Sequence, residues 1–382
     1  MTNAEQGTAH NTPADRPADF SLSLDDLEDF ARGAAFLGTG GGGDPYVGRL
    51  ILQNQLRAGG PLRIITLADL DPASLVVCVA VMGAPTVMTE KVPSVAALET
   101  SLRQIEQTVG RRADALIPLE VGGINATIPL ALGAKLGLPV VNADGMGRAF
   151  PEIQMVTFGI YGCPLSPVAV SNERADTVTV RTADNLRGEV LARAVTVRMG
   201  GASHVAMYPM TGEGAARTAI PDTLRLALNI GRIIRTARQD KLDPMEALAD
   251  HLAAHDTPRL CTVLFDGKVV DVRRETRGGF NVGHVVLEGG AGYDGRMTVS
   301  FQNENLLAER DGQAVAMVPD LITIVDRETM EPITTESLRY GQRAKVVGLS
   351  VPPIMRSRAA LDTFGPRAFG LDRDYQPLEE LV

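Results

Sequence analysis

Four polar residues stand where an open α/β sheet gathers its chemistry: Glu120, Asn125, Asp144 and Glu152, at or just beyond the ends of short apolar runs that read as strands. In such a sheet, ligands bind outside the carboxyl ends of the parallel strands. Glu120 lies in Pro118-Leu119-Glu120-Val121-Gly122-Gly123-Ile124-Asn125, Asp144 in Asn142-Ala143-Asp144-Gly145-Met146-Gly147-Arg148, and Glu152 comes directly after Phe150-Pro151. An earlier run ends in Met82-Gly83-Ala84-Pro85-Thr86. Glycines beside polar groups suit loops that a ligand approaches closely. Glu120 and Asp144 together suit general acid and base work, or the holding of a divalent cation. Each residue also has a structural reading. Glu120 could cap a helix or pair with Arg148, Asn125 could be an N-cap, and Glu152 could cap the segment after Pro151. Arg148 either orients a substrate carboxylate or neutralises Asp144.

A second feature is the loop Gly38-Thr39-Gly40-Gly41-Gly42-Gly43, followed by Asp44-Pro45. Gly38, Gly40 and Gly43 match the spacing of a dinucleotide fingerprint, which needs a strand before it and an acid about 20 residues on. The preceding segment reads as a helix, and Leu56 to Arg63 carries no acid, so no NAD site is expected. The alternatives are a tight structural turn or a row of amides, Gly40 to Gly43, that holds an anion or carbonyl oxygen at a helix start, with Thr39 adding a hydroxyl. His204, in Gly200-Gly201-Ala202-Ser203-His204, is the histidine best placed to reach a site. Phe301-Gln302-Asn303-Glu304-Asn305 ends a strand-like run with consecutive polar groups, so Asn303 and Glu304 are candidate contributions from a second domain.

The elements that must position these residues can be read from periodicity. Ser23 with Asp26 is a capping signal for a helix through Ala35, and Asp44-Pro45 opens a second helix. Residues 62–67, 75–82, 115–119 and 139–141 read as strands, alternating with helices at 92–109 and 126–136. That order implies a mostly parallel sheet. Beyond residue 168, strand-like runs at 178–180, 191–197 and 205–208 precede helices at 222–237 and 244–253. Short alternating runs from Cys261 to Leu349 then predict an antiparallel β-rich region. The expected organisation is a disordered tail over 1–20, an α/β domain over 21–167 and a β-rich α+β domain over 168–382, with a site in the cleft between the domains.

Composition narrows the partners. The net charge is −9, and the 37 Lys and Arg are scattered, which excludes a concentrated basic face for nucleic acid. No run reaches the roughly 18 apolar residues of a membrane helix. The polar first twenty residues are no secretory signal, and three dispersed cysteines without a CxxC read as reduced thiols, so a cytoplasmic location is expected.

Taken in order, the glycine loop through Tyr46, Glu120 to Asn125, Asp144 to Glu152, Phe301 to Asn305 and Pro319-Asp320-Leu321-Ile322 resemble the signatures of the S-methyl-thiohydantoin desulfurase-like family. The resemblance spans about Ser23 to Pro353 and implies an α/β domain followed by a β-rich one. It also implies hydantoin, thiohydantoin or oxoproline ring metabolism alongside hydantoinase-type proteins. Asn142-Ala143-Asp144 stands where the family pattern has Asp-Ala-Asp, which counts against a metal shared by two acids there. The expected activity is hydrolysis of a small cyclic amide or imide, at a C–N or C–S bond. Glu120, Asp144 and His204 would be the catalytic groups. Thr39, the Gly40–Gly43 amides, Asn125, Arg148, Glu152, Asn303 and Glu304 would bind the substrate. The other reading is a non-catalytic binding or partner subunit of a hydantoinase-type complex, with homo-oligomerisation a further option.

Overall fold

The computed structural model describes residues 20–83, 87, 90–255, 257–290 and 292–382. The expected tail, up to residue 19, and Ala84-Pro85-Thr86 lie outside the described residues.

Helices Leu27–Leu37 and Pro45–Arg57 open the fold. Ser23 and Asp26 form the expected capping box, and the Asp44 carboxylate accepts the Tyr46 N–H with Pro45 in the first turn. The first sheet and its small satellite comprise β1 (Ile64–Ile65), β2 (Leu75–Gly83), β3 (Ala115–Pro118), β4 (Val140–Val141), β5 (Ala143–Asp144), β6 (Val168–Ser171), β7 (Thr177–Val180), β8 (Ala202–Thr211) and β9 (Ile220–Pro221). Seven of them form one sheet in the order β1-β4-β3-β2-β8-β6-β7, while β5 and β9 pair separately. The β1, β4, β3 and β2 block is parallel, but β8, β6 and β7 join it antiparallel. The sheet is therefore mixed, and its pairing continues past residue 168. Periodicity cannot show this, because parallel and antiparallel partners bury the same apolar runs.

One expected strand is a helix. Residues 191–197 belong to helix Asn185–Arg198, whose N-cap Asp184 accepts the Arg187 N–H. Its apolar Val190 and Val197 are exposed, and the buried positions are Gly188, Glu189, Ala192 and Thr196. Small residues at helical spacing face the sheet there, so the β-branched run misleads. The other helices form near their expected bounds, including Ile124–Leu136, Thr223–Gln239 and Pro244–Ala253.

The β-rich region is a second seven-stranded sheet of β10 (Cys261–Arg277), β11 (Phe280–Gly289), β12 (Arg296–Gln302), β13 (Glu304–Arg310), β14 (Gln313–Met317), β15 (Leu321–Asp326) and β16 (Arg343–Leu349). It is antiparallel throughout, in the order β14-β13-β12-β11-β10-β16-β15, and curls until β14 and β15 approach each other. Phe265, Val285, Met297, Ile322 and Val346 fill its interior, while the larger core covers both faces of the first sheet. No described helix is long and apolar enough to cross a membrane.

Candidate active site

The glycine loop lies along the seam between the two sheets. Thr39 carbonyl accepts the Asn305 N–H at 2.8 Å, and Gly40 carbonyl accepts the Thr335 N–H at 2.8 Å, both from the β-rich region. On the other side, Gly42 carbonyl accepts the Ile124 N–H at 2.8 Å, at the start of helix Ile124–Leu136. The closeness requires glycine. A Cβ on Gly41 would sit 2.1 Å from Glu304 Oε1, and Gly42 turns through φ +78° against the Gly122 backbone. The Gly42 and Gly43 amides make no hydrogen bond among the described residues.

Both glycines line a cavity of about 40 Å³ whose other polar lining is Glu120, Asn125, Asn303 and Glu304. Val81, Leu119, Phe150 and Ile153 supply its apolar walls. Two regions of the chain therefore meet at one small polar space, with room for a water or two. Asn125 is held rigidly: its Oδ1 accepts the Val81 N–H at 2.7 Å, and its Nδ2 donates to Val81 carbonyl at 3.1 Å. The same Nδ2 donates to Glu120 Oε1 at 2.7 Å, while Glu120 Oε2 accepts the Phe150 N–H at 3.2 Å. Asn303 turns the chain between β12 and β13 at φ +60°, and its Oδ1 accepts the Asn281 N–H. That turn delivers the Glu304 side chain, 2 % exposed, to the cavity. Its Oε2 has no hydrogen-bond partner.

Burial governs the acids. Desolvation pushes Glu120 up to about 8, against the pull of the Asn125 and Phe150 N–H groups. Glu304 is pushed well above the ordinary range, first by burial and then by the Glu120 charge. Groups shifted this way by burial and a like charge in a cleft are candidates for proton transfer.

The other expected site residues lie elsewhere. Asp144 is fully buried and outside the cavity lining. Its Oδ2 accepts the N–H groups of Val121 at 2.9 Å, Met146 at 3.2 Å and Gly147 at 2.8 Å. Thr223 lies beside the carboxyl, and burial raises its pKa to about 7. Asp144 thus ties the loop after β3 to the loop after β5. Arg148 spends all five donors on the protein. They go to Ala149, Pro319, Asp320 and Asn305 carbonyls and to the Thr39 hydroxyl, so Thr39 serves the same seam. His204 Nε2 accepts the Ser94 N–H at 2.7 Å at the start of helix Val95–Val109, and burial lowers its pKa to about 4. Glu152 accepts Gln154 Nε2 and lines a separate open groove of about 860 Å³. No group of three or more His, Cys, Asp or Glu converges as a cation site among the described residues. The Phe150 amide and the Val81 backbone could not be found from the sequence, since backbone groups leave no residue-type signal.

Family comparison agrees with this architecture. Residues 25–182 match the family described as S-Me-THD-like, N-terminal domain, and residues 183–378 match S-Me-THD-like, C-terminal domain. The chain belongs to the S-Me-THD-like family. A crystal structure of a protein from Chromobacterium violaceum is similar, with 26% identity and a TM-score of 0.77 over 94% of this chain and 100% of that one. No curated protein matches the chain.

Proposed function

We propose that this protein hydrolyses a small cyclic amide or amidine, of the hydantoin or S-methyl-thiohydantoin kind, in the cavity between its two sheets. One observation carries the reading: Glu120, oriented by Asn125 and the Phe150 amide, shares a cavity with the unbonded Gly42 and Gly43 amides. A carboxylate fixed by two N–H donors can take a proton from water as the water adds to a ring carbon. The Gly42 and Gly43 amides, just ahead of the N-cap Asp44, can stabilise the oxyanion or ring-nitrogen charge that then develops. Asn303, on the opposite wall, can hold a ring N–H or carbonyl. The family name supports a thiohydantoin-type ring. A five-membered ring needs more room than about 40 Å³, so its entry has to part the cavity lining.

The test is incubation of the full chain with hydantoins, S-methyl-thiohydantoins and lactams, followed for ring opening and thiol release. The native protein should turn over at least one compound, and Glu120→Gln should lose that turnover. Equal turnover by the variant would remove Glu120 from the chemistry. Stabilisation of the protein by a ring that is never turned over would instead favour a binding subunit.

A further inference from the structure

The cavity holds two carboxyl groups in unequal surroundings, and the inequality assigns them separate tasks. Glu120 accepts one N–H on each oxygen, from Asn125 and from Phe150. Such donors favour the ionised form. Glu304 is as deeply buried, yet its Oε2 has no donor. The one guanidinium acting on both acids, Arg148, has its five N–H groups committed to Ala149, Pro319, Asp320, Asn305 and Thr39. The remaining charged group acting on Glu304, Glu336, is another acid. The backbone N–H of Glu304 itself is the one donor acting on its carboxyl, and a buried carboxyl with an oxygen left unpaired satisfies that oxygen by keeping its proton.

Resting on the hydrolase reading above, we propose that Glu304 is the proton donor of the reaction, from the β-rich region, while Glu120 of the α/β region is the base. As water adds, a C–O bond forms and the water proton passes to Glu120. The ring C–S or C–N bond then breaks, its electron pair leaves with sulfur or nitrogen, and that atom takes the Glu304 proton. Glu120 ends protonated and Glu304 ionised. A proton returned from Glu120 to Glu304, through a water in the shared cavity, restores the starting state. The assignment explains why the site is built across a seam. Acid and base sit on separate sheets, and their relative ionisation depends on the two being closed together.

Two measurements on the full chain test it. In the infrared carbonyl region at about pH 9, where Glu120 with its pKa near 8 is ionised, the protonated-acid band from the cavity should vanish in Glu304→Gln. It should persist in Glu120→Gln and titrate at lower pH there, because the neighbouring negative charge is gone. A cavity band that is lost in Glu120→Gln and unchanged in Glu304→Gln overturns the proposal. This measurement needs no substrate, so it decides which acid keeps its proton even if no ring is turned over and the hydrolase reading fails. With an active ring, Glu304→Gln should lose about 10²–10⁴-fold on a poor leaving group. It should lose much less on a thiol that leaves without protonation, whereas Glu120→Gln should be equally slow on both. Equal losses by Glu304→Gln on both leaving groups also overturn it.

Discussion

The seam between the two sheets contains two buried polar regions that behave in opposite ways. Around Arg148, every donor of a fully buried guanidinium meets a carbonyl or hydroxyl. Around Glu120 and Glu304, the latter next in sequence to the Arg148 partner Asn305, an oxygen and two amides are left without partners. Leaving a buried polar group unpaired costs roughly 1–3 kcal/mol. Unpaired atoms are not confined to the cavity, since Asp144 Oδ1, Asn305 Oδ1 and Glu336 Oε1 are also buried without partners. What sets the cavity apart is that three unpaired groups, Glu304 Oε2 and the Gly42 and Gly43 amides, belong to residues lining one space, while Arg148 is the clamp that holds the cavity's halves in register.

The largest effect that could break this comparison is catalytic. Glu120→Gln keeps the shape and the Asn125 contact, so it should unfold within a few degrees of the native protein, yet turn over substrate about 10²–10⁴-fold more slowly. If its melting temperature collapses instead, Glu120 belongs with Arg148 as a structural group. Next comes Arg148→Met, which strands the acceptors around the guanidinium and should cost about 3–5 kcal/mol in a denaturant titration. A cost below about 1 kcal/mol would show that the clamp is not what holds the seam.

Gly41→Ala sharpens the comparison at a single atom. Its new Cβ has to push the Glu304 carboxyl away, at a cost of roughly 1–3 kcal/mol, and turnover should fall more steeply than stability. Stability against pH gives a subtler reading. Folded-state pKa values near 8 for Glu120 and near 7 for Asp144 lie above the ordinary carboxyl range. The stability these two groups lend is complete below about pH 4 and is lost as pH rises through 7 to 8. His204, with its pKa lowered, acts in the opposite sense, but only below about pH 6.5. Between pH 6.5 and 8 the native protein should therefore lose stability as pH rises, and Glu120→Gln should remove about 1.4 kcal/mol per pH unit of that slope. The smallest effect belongs to His204→Gln. It should leave turnover within about two-fold and cost about 1 kcal/mol through the helix cap it weakens. A large loss of turnover would return His204 to the site.

Much of the arrangement is legible in residue order. The capping box at Ser23, the Asp44-Pro45 helix start and the antiparallel strands after Cys261 all arise from local chemistry, which acts over a few residues and leaves a pattern. The same holds for where the polar groups cluster: Glu120, Asn125, the glycine loop and Asn303-Glu304 are recognisable because packing alone does not ask for them at strand ends. What the pattern does not carry is direction. Asp144 and Glu120 look alike in sequence, as acids in glycine-rich loops, yet one binds three amides while the other opens onto a cavity. Arg148 and His204 look available and are fully or largely engaged.

By itself, the sequence determined most of the elements, though not the helix Asn185–Arg198, together with the two-part organisation and the set of polar residues from which a site could be assembled. Only the tertiary structure decided which of them share a space. It sent Arg148 to backbone carbonyls 171 and 172 residues away. It brought Glu304 onto Gly41, and it made three later strands complete the first sheet. Those outcomes depend on long-range closure, in which a buried group takes whichever partner the packed backbone presents. That partner is fixed by the geometry of the whole chain and not by the residues beside it.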